Sequence, residues 1–296
     1  MPRSSLFLTI AVIAGLSSAC ANATDTAHSS DIVFDSGGRP SARVVLNDQH
    51  EYLFAIDTAA QRTAISPQIV DELELVADPN NRAQAHGSAG VTYLDMYPIT
   101  SVEIAGRRVE NGLYMSAAAA HDESDIGHDG ILGQEFFAGQ RLIMDFEARE
   151  VAFGDVSANG LGEAIPVELM YGGFAVANIR INGVEVRALI DTGASTSFAN
   201  MEMMAALGLD ASDLAANEIR AGVTQQTSLR YTGFTGGIAL GSVVIDEAPL
   251  EFTDSPTFST FRMVDEPGVI LGMDVLGRLP GFAIDYQTAE FRHLAE

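Results

Sequence analysis

The 296-residue chain contains no lysine, no tryptophan and a single cysteine, Cys20. All 16 of its basic residues are therefore arginine, set against 40 acidic ones for a formal net charge of −24. So large an acidic excess argues against nucleic acid or an anionic membrane surface as a partner. It fits a chain kept dispersed by self-repulsion, with a slight leaning toward cationic ligands. One cysteine excludes an intramolecular disulfide. The chain also lacks the compact His spacing of a zinc helix, the Asp-x-Asp-x-Asp-Gly spacing of a calcium loop and the Gly-x-Ser-x-Gly elbow of a serine hydrolase. His86, His121 and His128, with Asp122, Asp125 and Asp129 nearby, raise the question of a metal site, but His121-Asp122-Glu123-Ser124-Asp125 reads more simply as an acidic solvated loop. No metal and no cofactor is expected.

Long apolar runs are scarce too. The single one, residues 6–16, follows Arg3 and is too short to anchor stably across a bilayer. Ala21-Asn22-Ala23 then matches the small-x-small pattern of a secretory cleavage site. Residues 1–23 are read as a signal peptide and residues 24–31, small and polar, as a disordered leader. The mature chain is thus expected to be exported and to carry no transmembrane segment. Cys20 has two readings: a residue discarded with the signal, or a lipid-bearing cysteine that anchors the chain. The leucine that a lipoprotein site wants three residues earlier is Ser17 here, with Leu16 one place too early.

What is present is a duplication. Phe54-Ala55-Ile56-Asp57-Thr58-Ala59-Ala60 is echoed by Ala188-Leu189-Ile190-Asp191-Thr192-Gly193-Ala194. Downstream of the first lies Gly130-Ile131-Leu132-Gly133, and of the second Val269-Ile270-Leu271-Gly272. Then come Leu142-Ile143-Met144-Asp145-Phe146 and Phe282-Ala283-Ile284-Asp285-Tyr286. The offsets are 134 (57 to 191), 139 (131 to 270) and 140 (145 to 285). Three motifs in one order at nearly constant offset mark a repeated unit. The halves divide as residues 32–157 and 158–296, with the glycine-punctuated residues 155–163 as the link.

Each acid stands at the end of an apolar, strand-like run, and the small residues after it read as a turn. Asn182-Gly183 between alternating runs predicts a hairpin whose return strand carries Asp191. Further strands are predicted at residues 32–34, 42–47, 52–56, 99–104, 165–169, 173–181, 236–240 and 243–245. Short helices are predicted at residues 67–75 and 201–207. Glycine-rich stretches around Gly87 and Gly90, and around Gly222, suit mobile hairpin tips. Asp145 and Asp285 lack the Thr-small-small sequel and are read as structural turn residues.

A strand-end aspartate is costly to ionise in an apolar setting unless something receives its charge. Two in matching settings suggest a pair that meets. Two carboxyls in hydrogen-bond reach share one proton, and such a pair activates water without a metal or a covalent intermediate. The sequence does not say which member holds the proton.

Asp191-Thr192-Gly193-Ala194 and Asp57-Thr58-Ala59-Ala60, each followed by an apolar-apolar-Gly element, resemble the retropepsin and pepsin families of aspartic proteases. The likeness runs from about Ile32 to Phe291 and is nearest to exported bacterial proteases with both lobes on one chain. It implies an all-β, bilobal acid-protease fold: two related β-barrel-like lobes, a few short helices and a cleft between them. It implies that Asp57 and Asp191 are the catalytic pair, supported by Thr58, Ala59, Thr192 and Gly193, with the two threonines cross-bonded beneath. Gly87, Gly90 and Gly222 are then flap candidates. The implied protein is a monomer with pseudo-twofold lobes, periplasmic or secreted, that cleaves polypeptide. Ala59 departs from the glycine usual in the family. An alternative on the same fold is therefore a catalytically impaired peptide-binding or scaffolding protein. Ala60 and Ala194 stand where pepsin-like loops often have a hydroxyl that bonds a carboxylate. Its loss would raise the carboxyl pKa and move optimal activity to weakly acidic or neutral pH.

Overall fold

Each half is built from hairpins whose turns are written in the sequence. Asn182 and Gly183 both take positive φ (51° and 80°), the geometry of the tight hairpin turn that Asn-Gly favours. In the first half Asn47 and Asp48 do the same work at 52° and 61°. Alternation then sets the faces: in the strand 174–181, Ile179 and Ile181 are buried while Asn178 and Arg180 are exposed. The computed structural model describes residues 29–87, 90–120, 126–154, 160–221 and 226–295.

Ten strands form the first repeat: β1 Ser29–Phe34, β2 Pro40–Leu46, β3 His50–Ile56, β4 Ala64–Ile65, β5 Arg82–Gly87, β6 Gly90–Ile104, β7 Arg107–Ser116, β8 Gly130–Leu132, β9 Arg141–Asp145 and β10 Glu150–Phe153. Ten more follow in the same order: β11 Ile165–Met170, β12 Phe174–Ile181, β13 Val184–Ile190, β14 Phe198–Ala199, β15 Ala215–Ala221, β16 Gln226–Leu240, β17 Val243–Phe252, β18 Gly268–Leu271, β19 Gly281–Asp285 and β20 Glu290–His293. Among the described residues four short α-helices are interspersed: α1 Pro67–Glu72, α2 Met201–Ala206, α3 Pro256–Thr260 and α4 Met273–Leu276. The fold is all-β and two-lobed. Helix starts obey local chemistry: Ser66 Oγ accepts from Ile69 N ahead of α1, and Asn200 Oδ1 accepts from Met203 N ahead of α2.

The registers repeat as faithfully as the order. β3 lies antiparallel to β2 and parallel to β8; β13 lies antiparallel to β12 and parallel to β18. β5–β6 and β15–β16 are long antiparallel hairpins. The lobes join through a six-stranded antiparallel sheet in the order β1-β10-β9-β19-β20-β11. Its centre pairs Ile143 with Ala283, residues 140 apart in the repeat, so the pseudo-twofold axis passes there. Arg141 Nε and Nη2 both donate to Asp285 Oδ2, at 3.0 and 2.7 Å, across this junction. Phe34, Phe146, Phe282 and Phe291 stack edge-to-face and face-to-face under it, and one buried core runs through both lobes.

Two expectations need correction. The leader predicted to extend through residue 31 ends earlier, because β1 begins at Ser29 and pairs with β10. That pairing uses backbone bonds alone, so polar side chains do not prevent it. The strands predicted at 99–104 and 236–240 are only the ends of β6 and β16, each 15 residues long. The signal peptide and Cys20, the 121–125 loop and Gly222 lie outside the described residues. Among the described residues, no helix is long and apolar enough to cross a membrane.

Candidate active site

Both acids are placed by the same knot of backbone. Asp57 N donates to Leu132 O at 3.1 Å and Asp191 N to Leu271 O at 3.0 Å, continuing the parallel pairings of β3 with β8 and β13 with β18. Beyond each leucine the chain dives beneath the acid-bearing loop. A Cβ on Gly133 would lie 2.4 Å from Arg62 C, and one on Gly272 would lie 2.8 Å from Ala194 O. That crossing is the physical reason for the apolar-apolar-Gly pattern. It is locked by a second symmetric device. Gly133 N donates to Thr63 Oγ1 and Gly272 N to Ser197 Oγ, both at 2.9 Å. Thr63 N is in turn held by Glu135, and Ser197 by Asp274. Sequence reasoning missed this brace, although its signal was there: Thr63 and Ser197 share the 134-residue offset of the two acids.

The loops meet through Thr58 and Thr192. Thr58 N donates to Thr192 Oγ1 and Thr192 N to Thr58 Oγ1, each at 3.1 Å. Thr58 Oγ1 donates to Ile190 O at 2.8 Å and Thr192 Oγ1 to Ile56 O at 2.6 Å. Both threonines are fully buried. Each hydroxyl thus accepts from the opposite loop and donates to the opposite strand, so neither buried hydroxyl is left unmet.

Above this lattice stand the carboxyls. Asp57 Oδ1 accepts from Ala59 N at 2.8 Å. Asp191 Oδ1 accepts from Gly193 N at 2.9 Å and Ala194 N at 3.1 Å. Gly193 has ordinary negative φ; it is required for a different reason. A Cβ there would sit 2.3 Å from Asp57 Cγ, so the opposite carboxyl packs on its α-carbon. Ala59, at the equivalent place in the first loop, also needs no positive φ. It keeps its bond to Asp57, and its methyl packs on a cluster of the second lobe that includes Phe198 and Ile270.

The carboxyls lie within hydrogen-bond reach of each other, and each alters the other's titration. Burial pushes Asp57 up to about 6, opposed by the Ala59 and Ala60 amides, the Arg39 charge and the hydrogen bond from Asp191. Burial also raises Asp191 well above the ordinary value, with the Asp57 charge acting in the same sense. Arg39, whose charge lowers Asp57, is a residue that sequence reasoning passed by. Asp35 Oδ2 accepts from Arg39 Nε at 2.6 Å, fixing the turn between β1 and β2. Gly37 of that turn abuts Ser195 of the second loop. The matching turn between β11 and β12 is Tyr171-Gly172-Gly173, which carries no charge. Tyr286, buried nearby, feels Asp57's negative charge, and its phenol is pushed up by burial and by that charge.

Two stretches of the chain, residues 42–136 and 177–275, match the aspartyl protease family model, one in each lobe. The chain belongs to the aspartyl protease family. The two matched stretches begin and end at equivalent places in the repeat, so each lobe supplies one copy of the unit. No match is found among curated proteins. In this aspartyl protease, Gly87 pairs with Gly90 where β5 turns into β6. β15 and β16 form the equivalent hairpin, joined through residues 222–225, which lie outside the described residues. Asp145 and Asp285 serve turns: Asp145 Oδ1 accepts from Ala148 N, and Asp285 Oδ1 from Gln287 N and Thr288 N.

Proposed function

We propose that this protein is an aspartic endopeptidase in which Asp57 and Asp191 share one proton and activate a water between them. Support comes above all from the meeting of the two carboxyls over the crossed threonines. The ionised member takes the proton of the attacking water. The protonated member polarises the scissile carbonyl and then protonates the leaving amine. The pair titrates as a unit, so these roles describe its singly protonated state. The substrate is polypeptide, bound extended between the lobes, with strand-like main-chain contacts. Gly87, Gly90 and Gly222 mark the hairpin tips that would close over it. Export through the residue 6–16 segment, to the bacterial periplasm or beyond, and a monomeric mature state complete the reading. Intact mass of the secreted protein distinguishes a free terminus after residue 23 from a lipid on Cys20.

The test is cleavage of a mixed peptide library by purified mature protein and by Asp57→Asn and Asp191→Asn. Each substitution is expected to lower turnover by at least about 100-fold, the scale of a lost general acid or base. Peptide binding without cleavage in the unaltered protein would identify a scaffold on the same fold.

A further inference from the structure

The two lobes are equivalent in register but not in the side chains they present beside the acids. In the first lobe Ala64 lies opposite Ile131 across β4–β8 and beside Met115 across β4–β7. In the second, Phe198 lies opposite Ile270 across β14–β18 and beside Glu251 across β14–β17. The hairpin strands contribute Leu94 on β6 and its counterpart Arg230 on β16, both 136 residues apart like the ends of those strands. Ala64, Leu94, Met115 and Ile131 therefore correspond to Phe198, Arg230, Glu251 and Ile270.

The first set is open. Ala64 is buried with Ala117 and Ala120 as a floor of small residues, and Leu94, Met115 and Ile131 stand half-exposed around it. The second set is filled. Ile270 is 1% exposed, covered by Phe198 and Phe258, whose rings lie 5.8 Å apart. Arg230 stacks on Phe198, its guanidinium carbon 4.6 Å from the ring centroid, and pairs with Glu251. Both places border the cleft. Ile131 directly precedes Leu132, whose carbonyl holds Asp57, and Ala59 packs on the cluster of Phe198 and Ile270.

We propose that the cleft is selective by lobe: the first lobe receives one large apolar side chain of the substrate, such as Leu, Met or Phe, and the second receives only a small one. The occupant follows from the walls: half-exposed apolar side chains gain most from burial against an apolar group. A site already packed with its own ring and a buried ion pair has no room for another. This rests on reading Asp57 and Asp191 as the cleaving pair, since that pair places a peptide across both lobes.

The test profiles a random octapeptide library with the full mature protein, Ala64→Phe, the milder Ala64→Val, and the triple variant Phe198→Ala/Arg230→Leu/Glu251→Met. Expected is a strong preference for large apolar residues at one substrate position, and their exclusion from the position facing the other lobe. Ala64→Phe should cut kcat/KM for such peptides by about 10-fold or more while sparing peptides with Ala there, and Ala64→Val should act the same way more weakly. The triple variant should admit large apolar residues on its side. Equal apolar preference on both sides, or a preference untouched at residue 64, overturns the proposal. Binding of the same fluorescent peptides to Asp191→Asn needs no turnover. Selectivity there with no cleavage by the unaltered protein would sink the endopeptidase reading and leave this one standing; unselective binding would sink this one alone.

Discussion

Gly193 and Ala59 show how differently one motif position is constrained in two lobes. A Cβ at 193 would collide with the Asp57 carboxyl at 2.3 Å, so Gly193→Ala is expected to separate the acids. A library assay should show at least about 100-fold lower kcat/KM, the size of a misplaced catalytic group. Ala59→Gly touches a place where alanine is already unstrained. It should leave activity within about 10-fold and cost about 0.5–1 kcal/mol through unfolded-chain entropy, read from denaturant midpoints. Titration gives a third expectation. Asp57 and Asp191 have folded pKa values above the ordinary 3.8, so the native state binds more protons than the unfolded one as pH rises from there through about 6. Their contribution to stability is then full at acid pH and is lost as pH rises, Asp57's through about 6 and Asp191's through its own raised value. Asp57→Asn should therefore raise Tm at neutral pH relative to the unaltered protein and leave it unchanged at acid pH. The acid limb of the rate profile should fall near pH 6, where Asp57 takes up its proton, in keeping with a near-neutral optimum. The cause is burial; the backbone amides that lower a carboxylate are still in place at residues 59, 193 and 194.

At the scale of elements, what the sequence disclosed was what burial had written into it. Strands packed on the core alternate or run apolar, and the Asn182-Gly183 turn named its own geometry, so these were legible. β6 and β16 were not, beyond their last few residues. Pro98 interrupts the first; Gly233, Gly236 and Gly237 interrupt the second. Their outer lengths stand away from the core, with Tyr93 and Phe234 exposed, so no buried face imposes alternation. The acids and threonines were legible because the motif repeats. The Thr63–Glu135 and Ser197–Asp274 braces were not, because their partners differ in residue type and sit more than 70 positions apart. The crossing they guard is rigid: Gly133→Ala would set a methyl 2.4 Å from the Arg62 carbonyl carbon. It is expected to cost about 3 kcal/mol or more by backbone displacement, seen as a lowered denaturant midpoint with unchanged m.

Across the whole molecule the repeat explains why a pair of acids exists at all. One lobe supplies one carboxyl, and the joined sheet of β9 and β19, with the crossed threonines, brings the second loop to it. Arg141 and Asp285 clamp that junction while partly buried. Arg141→Ala should destabilise the fold by about 1–3 kcal/mol, since it strands a carboxylate that now accepts two bonds from the guanidinium. The symmetric scaffold carries asymmetric chemistry: the Arg39 charge acts on Asp57 from a turn whose counterpart is uncharged, and the first lobe has half-exposed Leu94, Met115 and Ile131 where the second has buried Phe198 and Arg230, with Glu251 paired to Arg230.

The central claim is that Asp57 and Asp191 jointly hold a single proton. Site-resolved carboxyl ¹³C titration of the mature protein tests it most directly. The account predicts two coupled steps, both above the ordinary 3.8 and one of them near pH 6, with each signal responding to both. In Asp57→Asn and in Asp191→Asn that two-step pattern should vanish. Two independent single-step curves near the ordinary carboxylate value of 3.8, indifferent to substitution of the other acid, would contradict it.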